Sequence, residues 1–296
     1  MRFSKSGNRN SIRIEETMAI ERIAVIGAGT MGHGIAQVAA QAGYAVVLED
    51  MNDELVAQGL ARLEANLRKG VERGKVTEES MRAALSRIRT STKLADTAEA
   101  DLIIEAVVEK LDAKRQLFVR LDQLCKPEAM LATNTSSLSI ASIASATARA
   151  DRVIGMHFFN PVHLMKLIEI VVAPETAAAT LDAMLAVAGR MGKEAIIVKD
   201  APGFATSRLG VALGLEAMRM LEQNVASAED IDKAMVLGYN HPMGPLRLTD
   251  LVGLDIRLNI AEYLFEKLGS EVFRPPAILR RKVAEGKLGK KTGEGF

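Results

Sequence analysis

The sequence has too little of several things to support whole classes of protein. It carries a single cysteine, Cys125, so no intrachain disulfide can form. No apolar run reaches the roughly 18 residues that a membrane-spanning helix needs. Net charge is nearly absent: 38 Lys and Arg stand against 37 Asp and Glu, which leaves +1 and no global field to hold a polyanion. Neither nucleic acid nor a membrane is therefore an expected partner, and no metal is expected. Internal repeats and low-complexity tracts are also missing. A chain of this kind is expected in a reducing, aqueous compartment, the cytoplasm.

What is there suits an ordinary globular protein of about two domains, with 296 residues, 48% of them hydrophobic. Residues 1–17 are polar and basic and lack the apolar centre of a secretory signal. They also contain Glu15 and Glu16, out of keeping with a transit peptide, so a disordered tail is expected, with Met18 as an alternative start. Short apolar runs at 21–27, 45–49, 102–107, 130–133, 153–158, 167–172 and 195–198 read as strands. Helical patterns at 53–73, 78–85, 111–124 and 176–189 alternate with them, as in a doubly wound, mostly parallel α/β sheet. Beyond residue 200 the strand signals stop. Ser227 to Asp230 reads as a helix cap whose helix ends near Gly238, and 209–221 is apolar on most faces.

Gly27-Ala28-Gly29-Thr30-Met31-Gly32 matches G-x-G-x-x-G where the first strand meets the first helix. Gly27 permits the tight turn, Gly29 lets the backbone approach a pyrophosphate, and Gly32 allows close helix–strand packing. Asp50 follows Gly29 by 21 residues, where a carboxylate accepts hydrogen bonds from the adenosine ribose hydroxyls. Glu49 beside it and the lack of an adjacent arginine favour NAD over NADP. The fold expected is Rossmann-type, with a dinucleotide domain at 18–200 and an all-helical domain at 201–296.

Oxidation of an alcohol needs a base for the hydroxyl proton, and histidine is the commonest choice. Of the four histidines, His33 lies in the phosphate loop, and His163 and His241 sit in turns beside prolines. His157 differs because it ends the apolar strand VIGMHFFN. Glu169 interrupts the next apolar strand, where an unpaired carboxylate would be costly. If the two strands pair antiparallel, their midpoint falls at residue 163, in the turn between them, and His157 faces Glu169. The same pair also reads as a purely structural one. Thr133-Asn134-Thr135-Ser136-Ser137 should emerge at the carboxyl edge of the sheet, although it reads as a helix cap too.

The set GAGTMGHGIAQVAA, NTSSLSI, GMHFFNPVHLMKLIEI, PGF and GYNHPMGPLRLTDLVGLD, spread over about residues 20 to 296, resembles the short-chain L-3-hydroxyacyl-CoA dehydrogenase family, including bacterial 3-hydroxybutyryl-CoA dehydrogenases. The resemblance implies His157 as general base, Glu169 as its partner and Ser136 as a contact to the substrate oxygen. It further implies cofactor contacts at Glu109, Lys114, Ser136, Asn160 and Lys291, and coenzyme A contacts at Asn66 and Arg73, beside the basic Arg68, Lys69 and Lys75. Asn66 and Arg73 also read as solvated surface. One departure is Ser207, which stands where the family usually has asparagine, on the substrate side. The chain also ends, at GKKTGEGF, a few residues before the family's usual tail. A homodimer through the helical domain is implied as well.

The expected reaction is NAD-dependent oxidation of an (S)-3-hydroxyacyl-CoA, with 3-hydroxybutyryl-CoA as first substrate and 3-hydroxyadipyl-CoA as the alternative. Two other readings compete. A β-hydroxyacid dehydrogenase of the 6-phosphogluconate or hydroxyisobutyrate type shares the layout, but its lysine-centred motif is not apparent. A non-catalytic relative, as among lens crystallins, would keep cofactor binding alone; Ser136, His157 and Glu169 argue against it.

Overall fold

The computed structural model describes residues 19–296. The expected tail at 1–17, with Met18, lies outside the described residues. The first part of the chain runs β1 (Arg22–Ile26), α1 (Gly32–Gln41), β2 (Ala45–Glu49), α2 (Asp53–Glu72), α3 (Glu78–Ser86), β3 (Ile88–Ser91), β4 (Leu102–Glu105), α4 (Leu111–Leu124) and β5 (Met130–Thr133). It continues through α5 (Ile140–Ala144), β6 (Val153–Phe158), β7 (Leu167–Val172), α6 (Ala178–Arg190) and β8 (Glu194–Lys199). The second part is helical: α7 (Thr206–Glu222), α8 (Ala228–Gly238), α9 (Pro245–Val252), α10 (Leu254–Leu268) and α11 (Ala277–Ala284).

All eight strands form one sheet in the order β3-β2-β1-β4-β5-β6-β7-β8. Its first six positions follow the doubly wound dinucleotide-binding order. Only β6 and β7 pair antiparallel; the other neighbours are parallel. The central strands read as unbroken apolar runs because helices cover both faces. Ile23 and Val25 of β1 enter the core on one side with Ile35 of α1, and Ala24 and Ile26 enter the other with Phe118 of α4. A third core, including Leu215, Met218, Leu246 and Leu264, lies within the helical part.

Local chemistry sets the helix ends. Asn52 accepts a hydrogen bond from Leu55 N and Asp53 and Glu54 follow it, so α2 starts there. Ser227 caps α8 in the same way through Asp230 N, and α8 ends at Gly238. The strand β3 escapes an apolar-run reading because IRTS is short, polar and half-exposed at the sheet edge. The helix expected from 176 starts at Ala178, since the Thr176 hydroxyl donates to Val153 O and accepts from Ala173 N instead. The apolar 209–221 segment forms most of α7; Val211, Leu215 and Met218 are buried, whereas Leu209 is 72% exposed.

Cys125 caps α4 inside the second core, and burial pushes its thiol up to about 11. A thiol rather than a thiolate is poorly nucleophilic. Native protein should therefore resist iodoacetamide at about pH 8, with one equivalent reacting after denaturation. Rapid alkylation of the folded protein would contradict this burial.

Candidate active site

The carboxyl ends of β1, β2, β4, β5 and β6 converge on one edge, and each delivers polar groups there. At β1 the chain turns on Gly27, at φ +98°, where a Cβ would stand 2.6 Å from Ala106 O. A Cβ on Gly32 would stand 1.6 Å from Gly27 O, so α1 can begin this close to β1 only with glycine. Gly29 has open space where its side chain would be, and Gly29 and Thr30 are exposed beside the amino terminus of α1. Asp50, one residue beyond β2, accepts Ala28 N at 2.7 Å with one oxygen and Met51 N at 2.7 Å with the other. Glu49, ending β2, has its pKa raised, first by burial and then by the charge of Asp50.

An ionic chain underlies the next strands. Glu105, fully buried at the end of β4, accepts from Lys114 Nζ at 2.6 Å, Val107 N at 2.7 Å and Thr133 Oγ1 at 2.6 Å. Lys114 is 1% exposed and also lies 3.3 Å from Glu109. Glu109 in turn accepts from Thr135 Oγ1 at 2.6 Å, Ser136 N at 2.8 Å and, weakly, Ser136 Oγ at 3.2 Å. The threonine-serine tract does not cap the next helix, which is the task of Ser139 through Ser142 N; instead Thr135 Oγ1 accepts Leu138 N in a local turn, and Ser136 comes forward at the edge.

The β6–β7 register pairs His157 with Glu169, and His157 Nδ1 lies 2.7 Å from Glu169 Oε2. Glu169 has no exposed surface. It also accepts from Thr206 N at 2.9 Å, Ala205 N at 3.1 Å and Thr206 Oγ1 at 2.8 Å, at the start of α7. Burial pushes this carboxyl up, but the bonds from His157 and Thr206 outweigh it and hold its pKa below the ordinary value. The stability so gained is complete above the ordinary carboxylate range and is lost as pH falls through the lowered pKa.

Met31, Glu109, Ser136 and His157 line one cavity of about 490 Å³. Asn134 joins them, its side-chain oxygen held by Phe158 N at 2.9 Å, and Ile256, Asn259, Ile260 and Tyr263 of α10 form the facing wall. Ser207 adjoins this cavity through its hydroxyl, which donates to Ser136 O at 3.2 Å. Asn66 is half-buried on α2, Arg73 is exposed at its end, and Asn160 is exposed after β6; none lines the cavity. Lys291 also stays outside the lining, with Nζ 2.5 and 2.6 Å from the Asp255 carboxylate. Sequence reading passed over Glu105, although it carries the same signal as Glu169, an acid interrupting an apolar run. The α10 wall had no such signal.

The residues at β1 and β2 fit a dinucleotide: the open space at Gly29, the helix amino terminus and the Asp50 carboxylate are arranged as pyrophosphate and ribose require. With a histidine oriented by a carboxylate in the adjoining cavity, this fold and site define a two-domain, nicotinamide-dependent dehydrogenase. The comparisons narrow the class. Residues 22–201 match the model for "3-hydroxyacyl-CoA dehydrogenase, NAD binding domain" and residues 203–296 match that for its C-terminal domain. The probable 3-hydroxybutyryl-CoA dehydrogenase of Bacillus subtilis is 46% identical over 94% of this chain and 97% of its own length. Mitochondrial hydroxyacyl-coenzyme A dehydrogenase of Sus scrofa is 43% identical over 99% of this chain and 96% of its own. The crystal structure of (S)-3-hydroxybutyryl-CoA dehydrogenase from Ralstonia eutropha superposes with a TM-score of 0.91, at 41% identity, covering 94% of this chain and 98% of that one. The chain belongs to the 3-hydroxyacyl-CoA dehydrogenase family, and its cofactor is NAD.

Asp50 holds Ala28 N in this geometry, and the same carboxylate is where the ribose of a dinucleotide would be met. Asp50→Ala should weaken NADH binding by about 1.5–3 kcal/mol, the scale of hydrogen bonds to a charged group. Fluorescence titration checks this; unchanged affinity, or equal use of NADPH by the wild type, would overturn the assignment.

Proposed function

We propose that this enzyme oxidises the 3-hydroxyl of short (S)-3-hydroxyacyl-CoA thioesters, 3-hydroxybutyryl-CoA foremost, to the 3-keto thioesters. The observation that carries the reading is the buried His157–Glu169 contact at 2.7 Å, opening on a cavity that Ser136 and, from the glycine loop, Met31 also line. The names of the full-length relatives support the substrate.

Because Nδ1 is engaged by Glu169, Nε2 is the nitrogen left to take the hydroxyl proton. Glu169 stays ionised, as its lowered pKa requires, and stabilises the imidazolium that proton uptake creates. Ser136 Oγ, only weakly engaged by Glu109, is placed to donate to the substrate oxygen. When bound, NAD supplies the acceptor for the hydride leaving the same carbon. Its contacts are assigned to Gly27, Gly29, Thr30, Met31, Gly32 and Asp50 around the loop, and to Glu109, Lys114, Asn160 and Lys291 toward the nicotinamide end. The last of these would exchange its bond to Asp255 for one to the cofactor.

Asn66 on α2 and Arg73, which caps its end, are seven residues apart, with Arg68, Lys69 and Lys75 nearby, and that basic surface suits coenzyme A phosphates. Residues 18–200 act as the dinucleotide domain and 201–296 as the substrate and dimer domain. Several large apolar side chains of the helical domain are exposed, Leu209, Leu237, Tyr239 and Leu251 among them, which supports pairing of two copies through it. No helix among the described residues is long and apolar enough to cross a membrane, which accords with an enzyme of the cytoplasm.

His157→Gln should leave NADH affinity nearly intact while turnover falls by at least the roughly 10²–10⁴ of general acid–base catalysis. More than a tenth of wild-type turnover would remove His157 from the role of base. Glu169→Gln should also slow the reaction and move the pH–rate profile; an unaltered profile counts against the pair.

Ser207→Ala loses one neutral hydrogen bond to Ser136 O and should cost at most about 1.5 kcal/mol in kcat/KM. Its main effect should be on preference among acyl chains, read with C4 and C8 substrates. Damage equal to that of His157→Gln on both would place Ser207 in the catalytic core.

A further inference from the structure

Lys193, between α6 and β8, is only 9% exposed. Its Nζ donates to Val162 O and, at 2.8 Å, to Met165 O, and no carboxylate pairs with it among the described residues. An ammonium carries three protons, so one is left for whatever fills the space beside it. Arg190, at the end of α6, is a second cation without a carboxylate partner among the described residues. It lies over the Tyr44 ring, 4.0 Å from its centre, and gives its Nε to Ala42 O at 2.9 Å.

Both cations line a cavity of about 310 Å³ bounded by the carboxyl ends of α1 and α6 and by the turn that joins β6 to β7. Gln41, His163 and Lys166 line it as well, and no acid does. The cavity shares no lining residue with the one at His157. Lys166 is engaged only at 3.9 Å, by Glu194 at the start of β8. The two helix ends supply roughly half a negative charge each, so Arg190 and Lys193 together leave about one positive charge unanswered. His163 registers that excess: burial first, and then the charges of His33 and Lys193, hold its pKa below the ordinary histidine value.

We propose that this cavity binds a dianion of the phosphate class, inorganic phosphate or a small phosphate monoester, at a site separate from those for cofactor and acyl-CoA. A phosphate group carries about −1.5 to −2 at neutral pH. The unanswered charge meets one part of that, and His163 meets the rest when it takes up a proton. The spare ammonium proton and the guanidinium are donors of the kind that phosphate oxygens accept. Leu164 and Met165 on the turn offer apolar surface to the body of an ester. Because Lys193 ties down the turn between the strands of His157 and Glu169, an anion held there also steadies that hairpin. The site stands whether or not the 3-hydroxyacyl-CoA reading does.

Inorganic phosphate added to the NADH-saturated enzyme tests this, since the cofactor then occupies the glycine loop; sodium chloride at matched ionic strength is the control. The charged and titratable groups around His163 are His33 of α1, Lys166 on its own turn, Arg190 of α6, and Lys193 and Glu194 at β8. An anion among them favours the imidazolium, so phosphate should raise the His163 pKa, read by NMR of the imidazole rings and assigned through His163→Gln. It should also raise Tm as a ligand of the folded state does. Arg190→Gln and Lys193→Met should each weaken phosphate binding at least about tenfold, the scale of one lost charge-assisted hydrogen bond. Arg190→Gln should keep wild-type turnover, and it decides alone if Lys193→Met does not fold. Glycerol phosphate binding tighter than inorganic phosphate supports the site and identifies an ester as its ligand; equal binding supports it with phosphate itself. A His163 pKa that phosphate moves no more than sodium chloride does overturns the proposal. So does phosphate affinity that survives Arg190→Gln, which would assign the anion to the basic surface of α2.

Discussion

The carboxylate of Glu169 is the point on which the rest of the structure turns. It is a charge without solvent, so every lone pair must be answered from within the protein. One oxygen faces the imidazole of His157 and the Thr206 hydroxyl, and the other takes two backbone N–H groups at the start of α7. The positive end of a seventeen-residue helix thus supports the same negative charge that orients the histidine. Sheet and helical domain are joined at the group that prepares the base for its proton. Any movement of α7 is felt at His157.

Glu105 repeats this logic one layer away. It binds a buried lysine and two donors at the ends of β4 and β5, and the lysine passes the connection to Glu109 and so to Ser136. Two buried acids therefore support two of the polar groups that line the cavity, one behind His157 and one behind Ser136. Such networks are rigid when every member is satisfied, and costly when one is not. Their rigidity suits a hydride transfer, whose rate depends on holding donor and acceptor in a narrow geometry.

The helical domain contributes shape. Four side chains of α10 close the cavity opposite the sheet, and the small residues Gly210 and Gly214 along α7 let α10 and α9 pack close. At Gly214 a Cβ would stand 3.1 Å from the hydroxyl of buried Thr249. Gly210 also leaves the room that Arg257 of α10 occupies.

Much of this was legible from residue order because it depends on local rules. The glycine loop, the apolar runs of a doubly covered sheet and the Ser227 cap are written in short segments, each read by sterics or by helix-end hydrogen bonding. Even the pairing of His157 with Glu169 could be read, because an antiparallel turn makes register a matter of counting. The motifs supplied the family. Only the tertiary structure placed Ser207 on Ser136 O, bound Lys291 to Asp255, brought α10 across the cavity and buried Arg257 beside Gly210. Those contacts join residues tens of positions apart on different elements, with no periodicity linking them, and they exist only because two separately cored domains fold against one carboxylate.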